Sequence, residues 1–230
     1  MLKLIKLEIR KYKIKGYIRG ALIANLVIIG FLFLMNYTGK AEGDIIRSYD
    51  EAFAIIDTFV KGTFMIFSSV LIANIIIDEY RSKTINVMFM YPINRKKLFA
   101  AKLVIVLVFS FTSIILSDII VSFSYYFLNS IFSFVTEELT STVIVNSSIK
   151  FFMNALAFSG AGLIPLFFGM RKKSFPATIV SSILITSILS SSSNDFSLGS
   201  IIAIPMTLAA VGILVAYLTI RNIEHADVEN

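Results

Sequence analysis

The run Ala21-Leu-Ile-Ala-Asn-Leu-Val-Ile-Ile-Gly-Phe-Leu-Phe-Leu-Met35 has a single polar side chain, Asn25, in fifteen positions. Extended to Tyr17 and Tyr37, it reaches the length of about 20 mainly apolar residues that a helix needs to cross roughly 30 Å of hydrocarbon. Comparable runs lie at approximately 53–77, 98–120, 149–170, 174–190 and 199–220, so the pattern predicts six transmembrane helices, with the first at 17–37. Lipid offers no hydrogen bonds to an exposed backbone, which is why such runs are expected as helices. With 57% hydrophobic residues in a chain of 230, little is left for a soluble module. The expectation is one all-α integral membrane domain over 1–230. Residues 129–147, rich in Ser, Thr and Asn around Glu137 and Glu138, are expected as an outer loop with an interfacial or re-entrant helix.

Composition narrows the chemistry. The mean hydropathy of +0.83 is that of a chain whose main solvent is not water. Cysteine is absent and His225 is the single histidine, which leaves no disulfide framework, thiolate site or histidine relay. The formal charge of +6 sits beside apolar runs, and this favours anionic lipid over nucleic acid as the partner.

Residues 1–15 precede the first span. On a helix, Leu2, Ile5, Ile9 and Tyr12 share one face and Lys3, Lys6, Arg10 and Lys13 the adjacent one, the pattern of an amphipathic helix at a membrane surface. With the N-terminus inside, the inner segments hold seventeen Lys and Arg and the outer ones only Lys40 and Arg47. The positive-inside rule then places both termini in the cytoplasm. The outer segments collect Glu42, Asp44, Asp50, Glu51, Asp118, Glu137, Glu138 and Asp195, and the central parts of the spans look nearly charge-free.

The inner connection between the second and third spans reads Asp78-Glu-Tyr-Arg-Ser-Lys-Thr-Ile-Asn-Val-Met-Phe-Met-Tyr-Pro-Ile-Asn-Arg-Lys-Lys-Leu-Phe-Ala-Ala-Lys102. Its centre suits a short helix with Ile85, Met88 and Phe89 on one face. Pro92 ends it, because proline disfavours the helical conformation in the residue before it. Two readings fit these residues: an apolar face presented to a cytoplasmic partner, or an interfacial loop anchored by snorkelling Lys and Arg.

From Glu79 and Arg81 through Thr84, Ile85, Met88 and Phe89 to Pro92, Arg95 and Lys102, this connection resembles the coupling-helix region of ABC-2-type transporter permeases. The likeness extends in topology over nearly the whole chain, including the basic helix before the first span. One position departs: Lys83 stands where the family often has glycine. The resemblance implies a cytoplasmic coupling helix that docks on a separately encoded ABC ATPase, two ATPase subunits, and a second permease copy, identical or paralogous. It further implies a multi-pass protein of a bacterial plasma membrane that exports a hydrophobic or amphipathic substrate. The nearest likeness is to compact permeases of peptide or bacteriocin export and immunity.

No nucleotide cradle is visible, since Gly169-Met-Arg-Lys-Lys-Ser174 has the basic residues of a phosphate loop without its glycines. No carboxylate pair or Ser/His/Asp set recommends itself, so the chain is expected to be no enzyme, with no catalytic or metal site and no cofactor of its own. ATP would be bound by the partner. Asp57 and Lys61, four residues apart on the second span, can pair along one helical face. They are either a polar patch on a substrate path or a neutralised pair near the span's outer end. Lys102, one turn into the third span, is expected to snorkel to the headgroups. Thr178, Ser182, Thr186 and Ser190 form a hydroxyl stripe suited to helix packing. A self-contained channel or secondary transporter, or a non-transporting sensor or scaffold, are the other classes that the composition allows.

Overall fold

The computed structural model describes residues 2–12, 15–42, 46, 48–82, 95–132, 134–135, 137, 139–190, 192–193, 196–197 and 203–222. Helix α1 (Leu2–Lys11) leads into α2 (Lys15–Glu42), and α3 (Tyr49–Ile72) continues through a π-helical turn (Ala73–Ile77) into α4 (Asp78–Arg81). There follow α5 (Arg95–Phe132), α6 (Ser141–Ala161), α7 (Pro165–Lys172), α8 (Phe175–Ser190) and α9 (Ala203–Asn222). A two-residue antiparallel ribbon, Ser192–Ser193 with Phe196–Ser197, precedes α9.

Among the described residues, five helical stretches are long and apolar enough to cross a membrane: Gly16–Gly39, Tyr49–Arg81, Lys96–Phe132, Ser141–Lys172 and Ile204–Arg221. The expected span at 174–190 corresponds to α8, which is apolar but has only 16 residues. At 1.5 Å per residue it is about 24 Å long, short of a full hydrocarbon thickness. The third stretch runs on to Phe132 and α6 starts at Ser141, so no separate interfacial helix occupies the described part of 129–147. Asn129 organises that corner instead. Its Nδ2 donates to the Tyr49 hydroxyl at 2.7 Å, and its Oδ1 accepts from the Val135 N–H at 2.8 Å.

Local chemistry sets several helix ends. The Ser48 Oγ caps α3 by accepting from the Glu51 N–H, and Asp50 and Glu51 in the first turn complement the helix dipole. Pro165, Pro176 and Pro205 all stand in first turns, where a missing N–H removes no helical hydrogen bond.

Helix α3 is the hub: it packs on α5, α6 and α8. Ile56, Val60, Phe64, Ile114 and Phe158 centre one apolar cluster, and Leu71, Ile75, Ile77, Val106 and Leu166 a second one nearer α1. The hydroxyl stripe of α8 turns toward α3, where the Ser182 Oγ donates to the Ser69 Oγ at 2.8 Å. Helices α6 and α9 meet most closely through Gly160, Ala209 and Gly212. A Cβ on Gly212 would overlap the Gly160 carbonyl oxygen, so this crossing depends on glycine.

Candidate functional site

The two ends of the connection expected to carry the coupling helix meet in a buried ionic cluster. The π turn at Ala73–Ile77 widens the helix by one residue, and the Asp78 N–H accordingly reaches back to the Ala73 carbonyl. Such turns free backbone acceptors and recur at functional sites. Here the Ile75 carbonyl accepts from the Lys102 ammonium at 3.1 Å, and the Tyr12 hydroxyl oxygen stands 3.2 Å from it. Glu79, one turn on, takes the Lys102 ammonium on Oε2. Its Oε1 accepts from the Tyr12 hydroxyl and, at 2.6 Å, from Lys11. Lys102 also donates to the Tyr12 oxygen at 3.3 Å, so the three N–H bonds of its ammonium have acceptors at Ile75, Glu79 and Tyr12. Glu8 stands 3.8 Å from Lys102.

The cluster joins α1, α4 and α5, elements far apart in sequence. Tyr80 packs edge-on against Phe99 beside it. Two charge pairs, Glu8 and Glu79 with Lys11 and Lys102, make it neutral. Burial, reinforced by the Glu79 carboxylate, raises the Tyr12 phenol well above its ordinary range, so it stays protonated and donates. Burial also raises the Glu8 carboxyl, against the opposing pull of Lys102 and Lys11.

Two expectations are corrected here. Lys102 is 3% exposed and ion-paired inside the protein rather than snorkelling to headgroups. Glu79 is 7% exposed and faces inward, so it does not belong to an outward docking face. Its carboxylate is consumed by Lys102, Tyr12 and Lys11. Arg81 is exposed at the end of α4. Thr84, Ile85, Met88, Phe89 and Pro92, and the side chain of Arg95, lie outside the described residues. The surface helix α1 also differs from expectation. Ile5 and Tyr12 rest on the second apolar cluster and Glu8 is buried, so α1 is docked on the bundle as well as amphipathic.

A second group of charges lies deeper in the bundle. The Lys61 ammonium donates to the Asp57 Oδ2 at 2.9 Å, and Asn154 of α6 donates to the same oxygen at 2.7 Å. The ammonium also sits 5.1 Å from the centre of the Phe158 ring. Asp57 and Lys61 are 5% and 7% exposed, so the pair is buried inside the bundle, against α6. Asp118 of α5 is fully buried in the middle of its helix and not in an outer connection. The fields of Asp57 and Lys61 reach it. Reading spans only for apolar length missed Asp118, because one carboxylate scarcely lowers the hydropathy of a 37-residue stretch.

A family model described as "ABC-2 family transporter protein" matches residues 4–193, most of the chain. The chain belongs to the ABC-2 family of transporter proteins. The uncharacterized protein YcbO of Bacillus subtilis (strain 168) is 48% identical over 227 residues, spanning 98% of this chain and all of the relative. No solved structure matches. As an ABC-2 family protein with several membrane-crossing helices, the chain is a multi-pass membrane protein.

Proposed function

We propose that this chain is the permease subunit of an ATP-driven exporter, energised by a separate cytoplasmic ATPase that docks on residues 78–97. The observation that carries the reading is the buried Glu79–Lys102 ion pair, which closes the base of this connection. A push on a freely hinged loop would be absorbed in the loop. A push on a loop clamped at its base moves α3, α5 and α1 together.

In this reading α8 completes six spans, both termini are cytoplasmic, and two ATPase subunits serve two permease copies in a bacterial plasma membrane. Catalysis and ATP belong to the partner, and the chain needs no cofactor. The substrate is hydrophobic or amphipathic, of which a peptide or toxin is the best example, exported either as a product or for self-protection. The test is copurification with the ATPase, expected to be lost when Ile85, Met88 and Phe89 are all changed to Asp. Retained binding overturns the docking assignment.

One observation favours a second reading, a self-contained channel or secondary transporter: the buried charges Asp57, Lys61 and Asp118. Substrate flux through the purified chain in liposomes lacking any ATPase is the outcome that would replace the first reading with this one.

A further inference from the structure

Asp57, Lys61 and Asp118 come from α3 and α5 at one level of the bundle. Starting from the Glu79–Lys102 contact, Lys61 is 18 residues back along α3 and Asp118 is 16 residues on along α5. At 1.5 Å per residue both lie about 24–27 Å from that contact. Asp118 is 0% exposed, and neither of its carboxylate oxygens has a hydrogen-bond partner; the same is true of the Asp57 Oδ1. The elements packed on α5 bring few charged groups here. Helix α3 brings Asp57 and Lys61, and α6 brings Asn154 and the solvent-exposed Lys150, whose field reaches Asp57. The charges of α1, Glu8 and Lys11, are engaged at the other cluster. Helix α2 carries the buried amides Asn25 and Asn36, and α9 the hydroxyls of Thr207 and Thr219.

Two carboxylates and one buried ammonium leave one uncompensated negative charge. An ionised carboxylate out of water without a partner is among the least favourable arrangements a protein can hold. A divalent cation would overshoot that single excess charge and leave the buried trio net positive. The geometry points to a site for one monovalent inorganic cation, Na⁺ or a proton, held by Asp118 and the Asp57 Oδ1 and balanced against Lys61. The unpaired oxygens supply the ligands, and neutrality sets the stoichiometry at one per chain. The site does not depend on an ATPase, so it stands whether or not the exporter reading holds.

The experiment uses full-length protein in detergent and follows thermal unfolding. Na⁺ is titrated against choline at constant ionic strength, and pH is titrated separately in choline. The midpoint of the wild type is expected to rise with the logarithm of Na⁺ or of proton activity, with the slope of one ion bound per folded chain. Asp118→Asn, which leaves the trio neutral, is expected to lose that slope and to unfold near the cation-saturated midpoint of the wild type. The Na⁺ arm and the pH arm separate the two cations. A proton held at every pH tested gives no slope, but it leaves a carboxylic-acid carbonyl band in the infrared that vanishes in Asp118→Asn. Should Asp118→Asn not fold, radioactive Na⁺ binding and the infrared band of the wild type decide: one ion per chain, or the acid band, upholds the site. A wild type with neither response nor band, or an Asp118→Asn protein that keeps the wild-type slope, overturns it.

Discussion

The two buried charge clusters use the same kinds of side chain and end in different states. Around Glu79 and Lys102 the charges balance, and each oxygen of the Glu79 carboxylate accepts from at least one donor, which leaves the Glu8 Oε2, 3.8 Å from Lys102, as the one buried carboxylate oxygen there without a hydrogen bond. Around Asp57 and Lys61 one carboxylate is in excess and three carboxylate oxygens have no hydrogen-bond partner. The first cluster gathers donors from three separated elements and a backbone carbonyl that the π turn releases. The second lies among regular helices, whose backbone groups are already spent on each other, so side chains alone must satisfy it. A closed cluster of the first kind clamps structure in place, whereas an open one of the second kind is poised to take up a further charge.

The largest effect is expected from Lys102→Met, which leaves Glu79 ionised and buried. Stability in detergent should fall by about 3–5 kcal/mol, the range for removing one partner of a buried pair, as read by chemical unfolding. Combining it with Glu79→Gln should restore most of that loss, because the unpaired charge is gone. A double mutant as unstable as the single would mean that packing, and not charge, holds the junction. Such a double mutant is also expected to keep ATPase binding and lose transport, since the clamp goes while the docking residues remain.

Asn154→Leu tests how much of the deeper pair depends on its single amide donor. A loss of roughly 1.5–3 kcal/mol is expected, typical of a hydrogen bond to a charged group. Asp118→Asn should act in the opposite direction, gaining on the order of 1 kcal/mol in cation-poor buffer by removing a buried group without partners.

The smallest effect concerns pH. The folded Glu8 carboxyl is raised above its usual value of 4.5, so the folded state holds that proton more tightly. Its contribution to stability is full below about 4.5 and is lost as pH rises through the folded value. Glu8→Gln should therefore flatten this part of the pH–stability curve, and a curve unchanged by the substitution would show that Lys102 and Lys11 already offset the burial.

Much of the architecture was legible in the chain itself. Runs such as Ala21–Met35 announce membrane helices because lipid leaves the backbone no alternative. The first-turn prolines and the Ser48–Glu51 cap mark helix starts for reasons local to a few residues. The i,i+4 spacing of Asp57 and Lys61 likewise announced a pair. Which charges are inside was not legible. Glu79 and Lys102 read as surface residues because each flanks a basic, polar connection, and only the approach of α1 and the π turn buries them together. Asp118 read as an outer residue because a carboxylate two positions from the end of the 98–120 run suits a water-facing segment, while its burial is set by the helices on either side. Sequence alone determined that this protein lives in a membrane, since that follows from the apolar length of each segment. The tertiary structure decided which charges are balanced and which is left over, because electrostatic neutrality belongs to neighbours in space and not to neighbours in the chain.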